Sequence, residues 1–174
     1  MRVFHASHLL PLLTAAFLLA SCEAAGTLPG GGPRSDYSVA RQALETGNYA
    51  LAISRYQSLI ASQEGRSAAR LQLELAHALL RANRFDEAIA QASRLTGRQG
   101  DSIEASALAV RGTARHEAAR ALIERGENDA RSRALLEGAR DDLAAFLRDH
   151  AALDAAGSMR ARAQLVAADL AGLG

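Results

Sequence analysis

Gly47-Asn48-Tyr49-Ala50-Leu51-Ala52-Ile53 and Asn83-Arg84-Phe85-Asp86-Glu87-Ala88-Ile89 carry one pattern twice, 36 residues apart. In each, a helix-breaking stretch is followed by an aromatic residue, an alanine three positions on, and an isoleucine. Working outward from the first copy, Val39, Ala40, Ala43 and Leu44 fall at helical spacing ahead of the break, and Ser35 or Asp36 can cap that helix. Behind the break, Leu51, Ala52, Tyr56, Leu59 and Ile60 make one stripe that ends near Ser62. The second copy repeats this. Leu71, Leu75, Ala76, Leu79 and Leu80 precede the break, and Phe85, Ala88, Ile89, Ala92 and Leu95 follow it until Gly97-Arg98-Gln99-Gly100.

A third pair of helices is weaker but legible. Residues 102 to 125 read as a long helix, relaxed near Gly112, and Gly126-Glu127-Asn128-Asp129 turns the chain into a helix over about residues 130 to 150. Leu136, Ala139, Leu143, Phe146 and Leu147 form its apolar stripe. A last helix over about residues 155 to 173, with Met159, Ala163, Val166 and Leu170 inward, would close the end of the stack. Apolar residues are 49% of the chain, aromatics only 4%, and Trp is absent, so Ala and Leu carry the apolar content. Both are strong helix formers. The expected fold is all-α.

This pairing resembles the tetratricopeptide repeat, a helix-turn-helix unit with small residues where its helices cross and an aromatic at the start of the second helix. Ala40 and Ala76 stand at its small first-helix position, Tyr49 and Phe85 at its turn aromatic, Ala52 and Ala88 at its second-helix alanine, and Tyr56 at its later aromatic. The chain departs from the pattern at Asp36 and Gln72, at Ala43 and Leu79, and at Ala92, and neither copy ends in Pro. The likeness covers residues 36 to 97 well and 102 to 150 loosely. It implies a solenoid of two clear repeats, a degenerate third and a capping helix, in which the first helix of each pair lines a concave protein-binding groove. Carried over by position, Tyr37, Arg41, Leu44 and Glu45 would face that groove, then Arg70, Leu73, His77, Leu80 and Arg81, and in the third pair His116 and Arg120. Arg41, Arg70 and Arg81 could hold partner carboxylates bidentately, while Leu73 and Leu80 offer apolar anchorage.

All 20 basic side chains are Arg, against 19 acidic ones, and Lys is absent. That removes Schiff-base lysines and the Walker A phosphate loop. With Arg2 cleaved away the charges would balance, so no basic footprint for nucleic acid is expected. His116-Glu117-Ala118-Ala119-Arg120 misses the zinc-protease pattern, because Arg stands where a second His ligand is needed. Asp141, Asp142 and Asp149 lie near Arg140 and Arg148 on one helix, where solvated ion pairs are expected. No Gly-x-Ser-x-Gly elbow exists. The reading is a non-enzyme without metal, cofactor or small-molecule substrate.

Residues 1 to 21 read as a secretory signal: Met1-Arg2, then an apolar run from Leu9 to Ala20. Twelve residues span about 18 Å as a helix, short of the ~30 Å membrane core. The run ends in Leu19-Ala20-Ser21-Cys22, which resembles the bacterial lipobox, so the lone Cys22 would be acylated and would anchor the chain in a membrane. Glu23 at the next position favours the outer membrane, by analogy with enteric lipoproteins. Residues 22 to 35, with Leu28-Pro29-Gly30-Gly31-Gly32-Pro33, read as a tether reaching roughly 20 Å as a flexible coil. The helical domain would occupy residues 36 to 174. Together these features are similar to the small tetratricopeptide lipoproteins of type IV or Flp/Tad pilus assembly. Two function classes follow: a membrane-tethered periplasmic adaptor or assembly factor with a protein partner, or a structural envelope lipoprotein or holdase chaperone without a dedicated one.

Overall fold

The computed structural model describes residues 32–97 and 101–173. The signal segment, Cys22 and most of the tether lie outside the described residues. Among those described, the chain is helical throughout: α1 (Pro33–Glu45), α2 (Tyr49–Ala61), α3 (Gly65–Arg81), α4 (Phe85–Ser93), α5 (Asp101–Ile123), α6 (Ala130–Asp149) and α7 (Ser158–Gly172), with a short 3-10 turn at Ala151–Leu153 before α7. The all-α expectation holds. Each helix packs on its neighbours in sequence, and α3 also touches α5, and α5 touches α7. Together with the Arg41–Glu74 pair that joins α1 to α3, these contacts put the alternate helices α1, α3, α5 and α7 in one layer, with α2, α4 and α6 behind them.

The repeat is written most clearly in the backbone of its turns. Gly47, Asn83 and Gly126 all adopt left-handed conformations, at φ 81°, 58° and 79°. After α1, the Gly47 N–H donates to Leu44 O and the Asn48 N–H to Ala43 O. After α3, the Asn83 N–H donates to Leu80 O and the Arg84 N–H to Leu79 O; after α5, Gly126 bonds to Ile123 and Glu127 to Leu122 in the same way. Three identical Schellman closures reverse the chain, each satisfying the last carbonyls of the preceding helix. Asn substitutes for Gly at position 83 because its short polar side chain tolerates this region.

Alanines set the packing distance. Ala40, Ala52, Ala76, Ala88 and Ala92 are fully buried, which lets the helix axes approach to the near end of the ~8 to 10 Å range. Tyr56, Leu75 and Leu79 fill the space beside them. In the third pair Gly112 takes this role: a Cβ there would lie 3.1 Å from Leu143 Cγ and 3.2 Å from Asp142 Cβ. The expected relaxation near Gly112 is absent, since α5 runs unbroken from Asp101 to Ile123. The glycine serves close approach instead.

Two boundaries differ from the sequence reading. α1 starts at Pro33, not at Asp36, because proline at the first helical position brings a preset φ and lacks an N–H that would go unpaired there. Asp36 lies inside the first turn. α7 is capped by Asp154, whose carboxylate accepts from the Met159 and Arg160 N–H groups, both at 3.0 Å. These bonds, Met159 first, hold the Asp154 carboxyl below its ordinary range against the opposing effect of burial.

Candidate protein-binding face

α3 lies in the middle of the α1, α3, α5 layer, and its residues sort by angle around the helix axis. Leu71, Leu75, Ala76, Ala78 and Leu79 point into the core. Arg66, Arg70, His77 and Arg81 are exposed, at intervals of four, seven and four residues that keep them on one face. Half-buried Leu73 and Leu80 flank this stripe one heptad apart; Leu73 packs, as Ile103 of α5 does, against the small cluster of Ala69, Leu95 and Ala107, and Leu80 against the core of the first two helix pairs. On its other flank Glu74 reaches Arg41 of α1, Nη1 to Oε2 3.2 Å. The stripe is thus bounded by α1 on one side and α5 on the other.

The positions carried over from the repeat resemblance separate into three groups. Arg70, Leu73, His77, Leu80 and Arg81 come together on α3 as described. Tyr37 is half-buried, its ring edge-on to Tyr56 at 6.3 Å between centroids. Arg41 already has carboxylate partners within the chain, Glu74 and Glu45 at 3.0 Å, and Glu45 is exposed beside it. That corrects the expectation that Arg41 waits for a partner carboxylate. Its guanidinium is held above the ordinary arginine range, by Glu74 first and then Glu45.

Leu44 and His116 are corrections as well. Leu44 is 8% exposed and belongs to the core of the first pair. His116 is fully buried under α7. Its Nε2 donates to Asp169 Oδ2 at 2.8 Å, and Arg162 Nη1, which can only donate, sits 3.1 Å from Nδ1. The same Nη1 reaches Glu117 Oε1 at 2.6 Å. The histidine fixes the final helix and presents nothing to a partner. Arg120 is exposed and pairs with Glu124 at 3.5 Å.

Arg81 has a structural engagement too. Its Nη2 donates to Tyr49 Oη at 3.1 Å, and its guanidinium lies over the Tyr49 ring at 5.7 Å. Arg66 and Arg70, by contrast, make no hydrogen bond or ion pair among the described residues. Arg66 was missed in the sequence; its signal was its place one helical turn before Arg70. His77 titrates below the usual imidazole range, chiefly through partial burial, with Arg81 and Arg41 adding to the depression and Glu74 opposing it. It is therefore neutral at pH 7.

Asp142 overturns the expectation of a solvated ion pair. It is 4% exposed and grips Arg111 bidentately, Oδ2 to Nε 2.9 Å and Oδ1 to Nη2 2.6 Å. Arg115 Nη1 adds a third bond at 2.8 Å and also reaches Gly138 O. Arg111 Nη1 continues to Thr96 Oγ1 at 2.9 Å. One carboxylate thus ties α5, α6 and the end of the second pair into one piece. Asp141 and Asp149 do make exposed pairs, with Arg140 and Arg148. Among the described residues no group of three His, Cys, Asp or Glu is placed to hold a metal, and no helix is long and apolar enough to cross a membrane.

A cleft of about 280 Å³ opens between the start of α4 and the facing ends of α5 and α6, floored by Phe85, Ala118, Leu122 and Leu135. Its three arginines are already paired, Arg84 with Glu87, Arg125 with Glu127 and Arg131 with Asp86.

No curated protein and no solved structure matches the chain. A family model described as tetratricopeptide repeat does match, over residues 43–112, which is under half of the chain. The matched segment runs from the end of α1 to the middle of α5. It contains two of the three Schellman turns and the whole α3 stripe. Over residues 43–112 this chain is similar to the tetratricopeptide repeat family, a protein-interaction fold.

Proposed function

We propose that the protein is a lipid-anchored adaptor or assembly factor of the bacterial cell envelope, facing the periplasm from the outer membrane, which holds a protein partner on the α1, α3, α5 face. The observation that carries the binding role is the outward row on α3, with Arg66, Arg70 and His77 left over after the packing of the layer is complete. Similarity to an interaction fold over residues 43–112 supports it. Anchoring rests on Leu19-Ala20-Ser21-Cys22, since acylation there would hold the chain at a bilayer with two or more lipid chains. Likeness to the small lipoproteins of pilus assembly points to a pilus or secretion channel as the setting.

Two measurements test this. Cells grown with labelled palmitate should incorporate it into the wild-type protein and not into Cys22→Ser, which should leave the membrane fraction. Affinity purification from the envelope should return one partner in stoichiometric amount. A scatter of unfolded clients would point to the holdase alternative, and an unlabelled wild-type chain would remove the anchor.

A further inference from the structure

We infer that the helical domain meets the bilayer with one edge, dipping the exposed loop of residues 151 to 156 among the lipids while arginines beside it bind headgroup phosphates. This inference rests on the lipid anchor and gives the anchored domain an orientation. Short connections make successive helices antiparallel, so the starts of α1, α3, α5 and α7 and the ends of α2, α4 and α6 gather at that edge. Gly32, where the tether joins the domain, lies there too, as the residue that opens α1. It is ten residues after Cys22, a coil of about 18 Å on average, so the anchor holds this edge beside the bilayer.

The loop between α6 and α7 has the composition of a membrane contact. Ala151, Ala152, Leu153, Ala155 and Ala156 are all exposed, and Leu153, at 61%, is the most exposed large apolar side chain among the described residues. The one charge of the loop is turned away. Asp154 is buried, its carboxylate occupied by the Met159 and Arg160 N–H groups. What the loop shows to its surroundings is therefore apolar, and insertion at the boundary of headgroups and acyl chains removes that area from water.

Charge around the loop has the matching sign. Arg34, Arg66 and Arg160, at the starts of α1, α3 and α7, are exposed, and their guanidiniums have no partner among the described residues. Of the carboxylates described at this edge, Asp36 and Asp149 are paired with Arg55 and Arg148, Asp154 caps α7, and Glu104 accepts the Gly97 N–H. That leaves Glu64. The balance favours an anionic lipid surface. At the opposite edge the charges cancel in pairs, Glu87 with Arg84, Asp86 with Arg131 and Glu127 with Arg125. With the loop down, α5, 23 residues long, rises about 34 Å from the bilayer, and the α1, α3, α5 face stands upright on the membrane.

The test uses the full-length lipoprotein, carrying an environment-sensitive thiol dye at Leu153→Cys or, on the opposite edge, at Asn128→Cys, in vesicles of phosphatidylcholine and phosphatidylglycerol. Both positions are exposed, and thermal unfolding equal to wild type checks that neither change disturbs the fold. Acylation consumes the Cys22 thiol, so an anchored chain takes a single dye. Brominated lipids should quench most of the emission at 153 and none at 128, while iodide in the buffer should do the reverse. Adding Arg34→Glu/Arg66→Glu/Arg160→Glu to Leu153→Cys should remove much of the lipid quenching; quenching as deep as in the parent would overturn the headgroup contact. Emission at 153 untouched by brominated lipid, in a singly labelled protein that floats with the vesicles, refutes the orientation and leaves the anchored adaptor standing. Emission at 153 shielded from both quenchers assigns the loop to a protein contact, a second copy of the chain included, and overturns the inference as well. A doubly labelled chain that stays in solution refutes the anchor and the orientation together.

Discussion

Replacing Asp142 by Asn tests whether α5 and α6, the two helices of the third pair, are clamped together by a single buried carboxylate. The substitution keeps the side chain's volume and removes its charge, leaving Arg111 and Arg115, 16% and 26% exposed at their side chains, facing a neutral amide. Three charge-assisted bonds of 2.6 to 2.9 Å are affected. Removing one partner of such a buried cluster costs ~3 to 5 kcal/mol, because the remaining charges stay desolvated without compensation. A domain of this size is stable by only ~5 to 15 kcal/mol. At ~2 to 5 °C per kcal/mol the midpoint should fall by roughly 10 to 20 °C, read by circular dichroism at 222 nm. The loss should be strongly non-additive: Arg111→Met/Asp142→Leu/Arg115→Met, which removes all three charges at once, should recover most of it. A midpoint within about 2 °C of wild type for Asp142→Asn, at most about 1 kcal/mol on that scale, would refute the clamp.

Three further outcomes follow from the same geometry. Gly112→Ala gains helix propensity but sets a methyl 3.1 Å from Leu143 and 3.2 Å from an Asp142 that its arginines prevent from moving; a net loss of ~1 to 2 kcal/mol is expected in urea unfolding, and a gain would show the crossing to be loose. Tyr56→Phe removes a buried hydroxyl with no hydrogen-bond partner among the described residues, so stability should hold or rise by up to ~1 kcal/mol, whereas a loss above that would mean the hydroxyl is satisfied. Asp154 has a depressed folded-state pKa, so its stabilisation of α7 is present above the ordinary carboxylate value and lost as pH falls through the lower folded one. Wild type should unfold at higher temperature than Asp154→Ala at pH 6, with the difference closing towards pH 2; a pH-independent difference would contradict the cap assignment.

The parts of the fold legible in the sequence are those set by local chemistry. The recurrence of Gly47-Asn48-Tyr49 at Asn83-Arg84-Phe85 reflects a turn that only a few residues can make, and buried Ala40, Ala52, Ala76 and Ala88 keep the helical period in view. What stayed hidden depends on which faces meet across the chain. Arg111 and Arg115 are an ordinary i, i+4 pair until α6 places Asp142 against them. His116 looked like a surface ligand candidate because nothing local announces that α7 returns over it. Arg41 fits a groove position by alignment, yet only the pairing of α1 with α3 brings Glu74 to it. The candidate site was accordingly legible along α3, where exposure follows from one helix's own periodicity, and unreliable at α1 and α5, where it depends on neighbours.

The central claim, that the α1, α3, α5 layer is the receptive side of the molecule, is tested most directly by placing a photo-crosslinking amino acid in living cells at His77 on α3 and, separately, at exposed Ala90 on α4. One discrete partner crosslinked from position 77, and none from position 90, is the predicted result. The same partner captured from position 90 and absent at 77 would contradict it.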